Sequence, residues 1–282
     1  VRDDNVYYWD ASLGLANRSL PLSSQVGASG APTIARQVLV SDTDRHVICF
    51  GANTIDTTAQ DLLLVRWSDQ ENAVDWTPTV TNTAGDQRLS SGSEIITAIE
   101  TRQQVLIWTD SSLYSMRFVG PPFTFSFSLL ATNASIISPN AAVAVGDRVF
   151  WMDTENFFMY AGQIQIIPCT VLRYVFDDIN TDETLKFFGG ANRMFDEIFW
   201  FYCSSDSSDI DRYVKYNYAE GTWDIGSLSR TAWLDFGLLS KPRAAGYIDS
   251  ANYIYDHETG TTADGESMSP FIESSVFSMG DG

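Results

Sequence analysis

The hydrophobic positions of this chain fall in short runs that repeat one arrangement: an apolar stretch ending in Trp, Phe or Tyr, a polar turn, then a second aromatic stretch. Between Leu62 and Gly120 the runs are Leu62 to Trp67, Ile95 to Ile99, Val105 to Trp108 and Leu113 to Val119, the last two separated by Asp110-Ser111-Ser112. Short runs rich in β-branched and aromatic residues, bounded by Gly, Asn, Asp and Ser, predict strands joined by turns. Aromatic ends recur at Trp9, Phe50, Trp108, Trp151, Trp200 and Tyr255, separated by 41, 58, 43, 49 and 55 residues. A four-stranded propeller blade takes about 40–50 residues, so this period favours a propeller over a sandwich or a barrel. Alternation along each hairpin puts Val105 and Ile107 on one face, and likewise Val149 and Trp151, with one face of the hairpin in the core.

Helical signal is nearly absent. The stretch Asp177 to Lys186, DDINTDETLK, predicts a single helical turn capped by Asn180 or Thr181. The LRYVF run before it reads as a strand. Leu20 to Pro32 reads as a long inter-blade loop and Ser204 to Asp209 as an exposed hairpin tip. Thr259 to Ser269 precedes a final strand, PFIESSVFSMG, expected to leave the propeller and pair elsewhere. With no domain boundary in view, residues 1–282 are expected to form a single all-β, β-propeller domain of about five to six blades. The start at Val1, without Met or a signal pattern, is what a piece of a longer polypeptide would show.

Charge narrows the function. The chain carries 17 basic and 36 acidic residues, a net charge of −19. Such a surface repels phosphate backbones, which argues against tight or sequence-reading DNA binding and leaves DNA as a passing cargo. No apolar run reaches the ~18–20 residues of a membrane helix, so no membrane span is expected. Three scattered cysteines, Cys49, Cys169 and Cys203, read as small buried hydrophobes. Two histidines are too few for a His-based metal centre.

Candidate chemistry thins out on inspection. Trp67-Ser68-Asp69, Asp75-Trp76-Thr77-Pro78 and Tyr216 to Trp223 resemble the Asp-box turns of glycan-cleaving propellers, but the required Gly spacing fails and packing tryptophans at turns explain them. Acidic clusters at Asp3-Asp4, Asp42/Asp44, Asp177-Asp178/Asp182-Glu183 and Asp206/Asp209/Asp211 do not meet a calcium-loop spacing and read as solvated turns. Neither His46 nor His257 has a nucleophile nearby in sequence. No nucleophile elbow or phosphate-cradling loop is present. The expected catalytic, cofactor-binding and metal-binding residues are therefore none. Arg36, Arg45, Arg66, Arg212, Arg230 and Arg243, all near strand ends, are expected to hold carboxylates.

Several strings, taken in order, resemble a known family. They are PTIARQVLVSDTDRHVICFGAN (Pro32 to Asn53), RWSDQENAVDWTPTVTNTAGDQRL (Arg66 to Leu89), LIWTDSSLYSMRFVGPPFTF (Leu106 to Phe125) and FWMDTENFFMYAG (Phe150 to Gly162). EIFWFYCS with DIDRYVKYNYAEGTWDIGSLSRTAW (Glu197 to Trp233) and YDHETG with a following DG (Tyr255 to Gly265) follow. Together they resemble the tail nozzle, or tail tubular protein B-like head–tail stabilisation proteins, of short-tailed bacteriophages. The resemblance implies a propeller-bearing, non-enzymatic virion protein that forms a ring, usually a homohexamer, at the distal end of the tail. There it would extend the DNA-ejection channel and help retain the packaged genome. Implied partners are copies of itself, the adjacent tail adaptor or tube, tail fibre proteins, and genomic DNA passing without sequence-specific binding. The alternative is a glycan-binding or glycan-hydrolysing propeller used in host adsorption. Convergent Trp/Tyr and two carboxylates at the propeller axis would mark it.

Overall fold

The apolar runs pair with their sequence neighbours as antiparallel meanders, each closed by a polar turn. The computed structural model describes residues 2–28, 30–237, 240–248, 251–263 and 266–267. A ribbon of β1 (Tyr7–Tyr8) and β2 (Leu20–Pro21) comes first. Sheet I is β3 (Gln37–Val40), β4 (Val47–Phe50), β5 (Leu64–Trp67) and β6 (Gly85–Arg88). Sheet II is β7 (Ile95–Glu100), β8 (Val105–Thr109), β9 (Ser112–Gly120) and β10 (Thr124–Thr132). Sheet III is β11 (Ala142–Val145), β12 (Arg148–Met152), β13 (Phe157–Tyr160) and β14 (Ile164–Ile166). Sheet IV is β15 (Phe188–Asn192), β16 (Glu197–Tyr202), β17 (Arg212–Asn217) and β18 (Thr222–Ser227). Sheet V holds three strands among the described residues, β19 (Ala232–Leu234), β20 (Arg243–Ile248) and β21 (Ala251–Asp256), and a ribbon of β22 (Thr262–Ala263) and β23 (Glu266–Ser267) follows.

The first strands of successive sheets lie against one another in the order β3, β7, β11, β15, β19. All five contribute to the wall of one axial cavity. The fold is a β-propeller, with five blades in chain order among the described residues. Phe50, Trp108, Trp151 and Trp200 occupy equivalent places. Each lies on the second strand of its sheet and pairs with a residue near the start of the first: Gln37, Thr97, Ala142 and Gly189. The other two aromatic marks do not share that place. Trp9 lies outside the blades and is exposed, and Tyr255 sits on the third strand of its sheet.

The expectation of one buried face per hairpin needs correction. All five residues of β8 are buried. Val105 and Ile107 join Ile48, Phe50, Val65 and Trp67 of sheet I, while Leu106 and Trp108 join Val149, Trp151 and Trp200 on the other side. Alternation is kept, but an interior blade is covered on both faces, so its strand is apolar throughout. Each such aromatic contributes roughly 2–3 kcal/mol from the area it removes from water.

Two local readings also change. LRYVF is not a strand but a short helix, α1 (Leu172–Phe176), in the connection between sheets III and IV. A five-residue apolar run cannot distinguish the two periods, and Val175, buried, is satisfied by the amide bond to Val171 O at 3.1 Å. The following turn is a 3₁₀ segment, Thr181–Lys186, capped by Asn180, whose side chain accepts from the Asp182 amide. Leu20 to Pro32 is not a slack inter-blade loop. Leu22, Ala28 and Ala31 pack with Cys49 and Trp76 against sheet I. Ser204 to Asp209 does form a hairpin tip, with Ser205, Asp206, Ser208 and Asp209 exposed. The PFIESSVFSMG segment lies outside the described residues.

Candidate functional site: the axial cavity and its seams

The axial cavity has a volume of about 1100 Å³ and is walled by residues of the five first strands, the segments before β3, β11, β15 and β19, and the β16–β17 hairpin tip. The seams between the first strands are closed by both side-chain and backbone hydrogen bonds. Gln37 on β3 does this for the I–II seam. Its Nε2 donates to Ala98 O at 2.7 Å, while its Oε1 accepts from the Ala98 amide at 2.7 Å and from Thr97 Oγ1 at 3.1 Å. Between sheets III and IV the Gly189 amide donates to Asn140 O at 2.8 Å. Indoles close the later seams: Trp200 Nε1 donates to Ala141 O at 2.9 Å and Trp233 Nε1 to Ala191 O at 2.7 Å. Gly190 makes the last of these possible, since a Cβ there would stand 2.6 Å from the Trp233 ring.

The cavity wall carries cations, and each has a partner. Arg36 donates to Asp3 at 3.1 and 3.2 Å, to Glu94 and to Ile95 O at 3.3 Å. Burial works to lower its pKa, but the two carboxylates overcome this and raise it. Arg2 Nη1 donates to Ile96 O at 3.2 Å. Lys186 pairs with Glu183 at 2.8 Å and lies 3.8 Å from Asp209. Among the described residues, Asp209 is the one carboxylate of the wall and Trp233 its one indole. Of the arginines singled out in the sequence, Arg45, Arg212 and Arg243 also stand within 4 Å of Asp or Glu. Arg66 departs from that expectation. Fully buried, it donates to the carbonyls of Asn53 and Gly30 and lies 5.8 Å from the Trp76 ring centre. Arg230 donates to Ser229 O at 2.8 Å and to His257 Nε2 at 3.1 Å.

The acidic turns were expected to be solvated, and Asp44 is not. Asp44 and His46 are both buried at the turn between β3 and β4. Asp44 accepts from Ser41 Oγ and its Oδ2 lies 3.7 Å from His46 Nδ1. Thr83 Oγ1 donates to Asp69 at 2.7 Å, so it accepts from His46 Nε2 at 3.0 Å, which places the imidazole proton on Nε2. Phe125 and Phe118 cover the ring at 5.0 and 5.7 Å. Burial lowers the His46 pKa against the pull of Asp44 and Asp69, and burial raises that of Asp44. The order carboxylate, imidazole, hydroxyl resembles a catalytic relay. With the imidazole sealed under two phenyl rings, the arrangement clamps the β3–β4 turn to the β9–β10 hairpin.

His257 is neutral for a related reason. Burial and the adjacent Arg230 guanidinium push its pKa down to about 4. Cys49 and Cys203 are buried and Cys169 is half-buried; all three are free thiols. Burial pushes Cys49 up to about 12 and the other two up to about 11. Trp67 and Trp76 are packed into the core, as read from the turns they border. Sequence reasoning did not find Gln37, because a side chain that substitutes for a ladder bond across a seam leaves no local pattern.

No family model and no curated protein matches the chain. Among solved structures it is similar to Hsv2 of Kluyveromyces marxianus at a TM-score of 0.44 and 9% identity, over 79% of this chain and 64% of that one. The N-terminal domain of Nup159 gives 0.42 and 9%, over 80% and 59%. The CNH domain of AfRom2 gives 0.41 and 9%, over 89% and 87%. The chain thus spans less than two thirds of the length of the first two. Likeness this distant says nothing of function.

Proposed function

We propose that this chain is a non-enzymatic structural unit of a bacteriophage tail nozzle that assembles with copies of itself into a ring, a hexamer by the resemblance, within the virion. The observation that carries the reading is the uneven packing of sheet V. One of its faces places Trp233 on Phe199 and Phe201 of sheet IV, at 5.2 and 5.8 Å. The register puts Leu234, Tyr247 and Ile254 together on the opposite face, where they are 60%, 56% and 77% exposed. Interior blades cover both faces, and an open apolar blade face marks a surface that another protein covers. In a ring that partner is the next copy. The strings carrying the resemblance run over strands of all five sheets.

A cavity of about 1100 Å³ suits a small ligand and not a duplex. Passing DNA is therefore assigned to the hub of the ring, where a subunit of charge −19 would keep a polyanion from sticking. The neighbours in this reading are the tail adaptor or tube and the tail fibres. The glycan-processing alternative would draw on two axial carboxylates and converging aromatics, whereas the wall offers Asp209 and Trp233. Negative-stain imaging of the purified chain tests the proposal. Rings of several copies around a central opening are expected, and a monomer at every concentration would overturn it. Lys replacements of hub-facing carboxylates are expected to slow ejection.

A further inference from the structure

The turn between β9 and β10 differs from the hairpin turns at 41–46, 101–104 and 146–147, which are polar as turns normally are. Residues 118–123, FVGPPF, are apolar throughout, and no charged residue occurs from 118 to 146. Phe118, Val119 and Phe123 are 41%, 54% and 77% exposed, and Pro121 and Pro122 are exposed beside them. An apolar knob held out in water adds nothing to the fold and marks a contact surface. Its base is fixed. The Phe118 ring centre lies 5.7 Å from those of His46 and Phe125, Phe125 lies 5.2 Å from Trp67, and Thr124 Oγ1 donates to Thr83 O at 3.1 Å. The knob is thus presented in one arrangement before any partner arrives, which lowers the ordering cost of a contact.

The open face of sheet V is shaped to receive it. The register sets Ala232 opposite Ala245 and Ala245 opposite Ile254 on that face, with Leu234 and Tyr247 two residues along their strands. The two small side chains leave a hollow flanked by Leu234, Tyr247 and Ile254. The charges on this face are Arg243 and Asp256, paired with each other at 2.6 Å. Knob and face are therefore both free of excess carboxylate. Two copies of net charge −19 repel one another, and a contact between them is least costly where neither surface adds to that repulsion. Sheets III and IV separate the two surfaces in the blade order.

We propose that the β9–β10 turn of one copy docks on the open face of sheet V of a second copy, with Phe123 entering between Leu234, Tyr247 and Ile254. The proposal rests on the ring reading and deepens it by naming the surface that each copy offers to the next. Knob and face are different surfaces of one chain, so the contact is heterologous. Each copy uses both, and repetition closes a ring when the rotation between copies divides the circle.

The test is light scattering with negative-stain imaging of the intact chain over a range of concentrations. The unaltered chain is expected to form rings. Phe123→Ser and Ile254→Asp are each expected to raise the concentration at which the rings dissociate about thirtyfold or more, since each removes an anchor of the contact. Both side chains are largely exposed, so neither change endangers the fold. An equimolar mixture of the two variants is expected to give heterodimers and no rings, because the intact knob of one meets the intact face of the other only once. Leu15→Ser, an exposed apolar change in the N-terminal segment, is expected to leave the rings as they are. Rings that survive both substitutions, a mixture without heterodimers, or equal dissociation by Leu15→Ser would overturn this contact and leave the ring standing. An unaltered chain that stays monomeric at every concentration would overturn the ring and the contact together.

Discussion

Trp108 and Trp200 stand at equivalent places in sheets II and IV and are both fully buried, yet their indole nitrogens have opposite fates. Trp200 Nε1 donates across a seam to Ala141 O at 2.9 Å. Trp108 Nε1 has no hydrogen-bond partner among the described residues. Replacing each by Phe removes a similar volume from a similar core, so the packing cost, on the order of 1 kcal/mol, is nearly common to both. The polar contributions differ. Trp200→Phe loses a net hydrogen bond of about 1 kcal/mol and leaves Ala141 O with only the long bond from the Met152 amide at 3.4 Å. Trp108→Phe removes a donor that is desolvated without compensation, which offsets much of its packing cost. Trp200→Phe is therefore expected to be more destabilising than Trp108→Phe by roughly 1–2 kcal/mol. At ~2–4 °C per kcal/mol for a chain near this length, the two melting temperatures should differ by several degrees in calorimetry or circular dichroism. Equal losses, or a larger loss in Trp108→Phe, would refute the claim that seam-crossing indole bonds hold the blades together.

Other outcomes are equally specific. Arg66→Ala is expected to cost about 3–5 kcal/mol in urea denaturation, since it opens a cavity beside Trp76 and strands the carbonyls of Asn53 and Gly30. Gly190→Ala is expected to destabilise by about 1–3 kcal/mol, because its Cβ meets the Trp233 ring at 2.6 Å, and limited proteolysis should then cut near sheet V first. The folded pKa of His257, about 4, lies below its ordinary 6.5, so between those values the unfolded chain binds more protons than the folded one. Stability should accordingly be lost as pH falls from about 6.5 toward 4, and the urea midpoint of His257→Gln should lack this part of the slope.

Much of the fold was legible because the signal is local. A strand buried on both faces must be apolar along its length, and β8 and β16 announce themselves in that way. The turns are legible for the same reason: Asn180 caps its 3₁₀ segment with a side chain two residues from its partner. Errors arose where short apolar runs carry no period, as in Leu172–Phe176, and where aromatic strand ends recur without occupying the same place in a blade, as with Trp9 and Tyr255.

The sequence by itself determined that the chain is all-β, that its hairpins recur at blade length, and that its surface is strongly acidic, because composition and periodicity are properties of neighbours along the chain. Only the tertiary structure decided which polar residues meet. Gln37 stands in for a ladder bond to Ala98, Arg66 is held by carbonyls and not by carboxylates, and Arg117 is held by the Gln104 amide. Those pairings depend on how far successive blades rotate and splay about the axis. That geometry is set by the summed packing of the aromatic cores, and no local stretch of sequence encodes it.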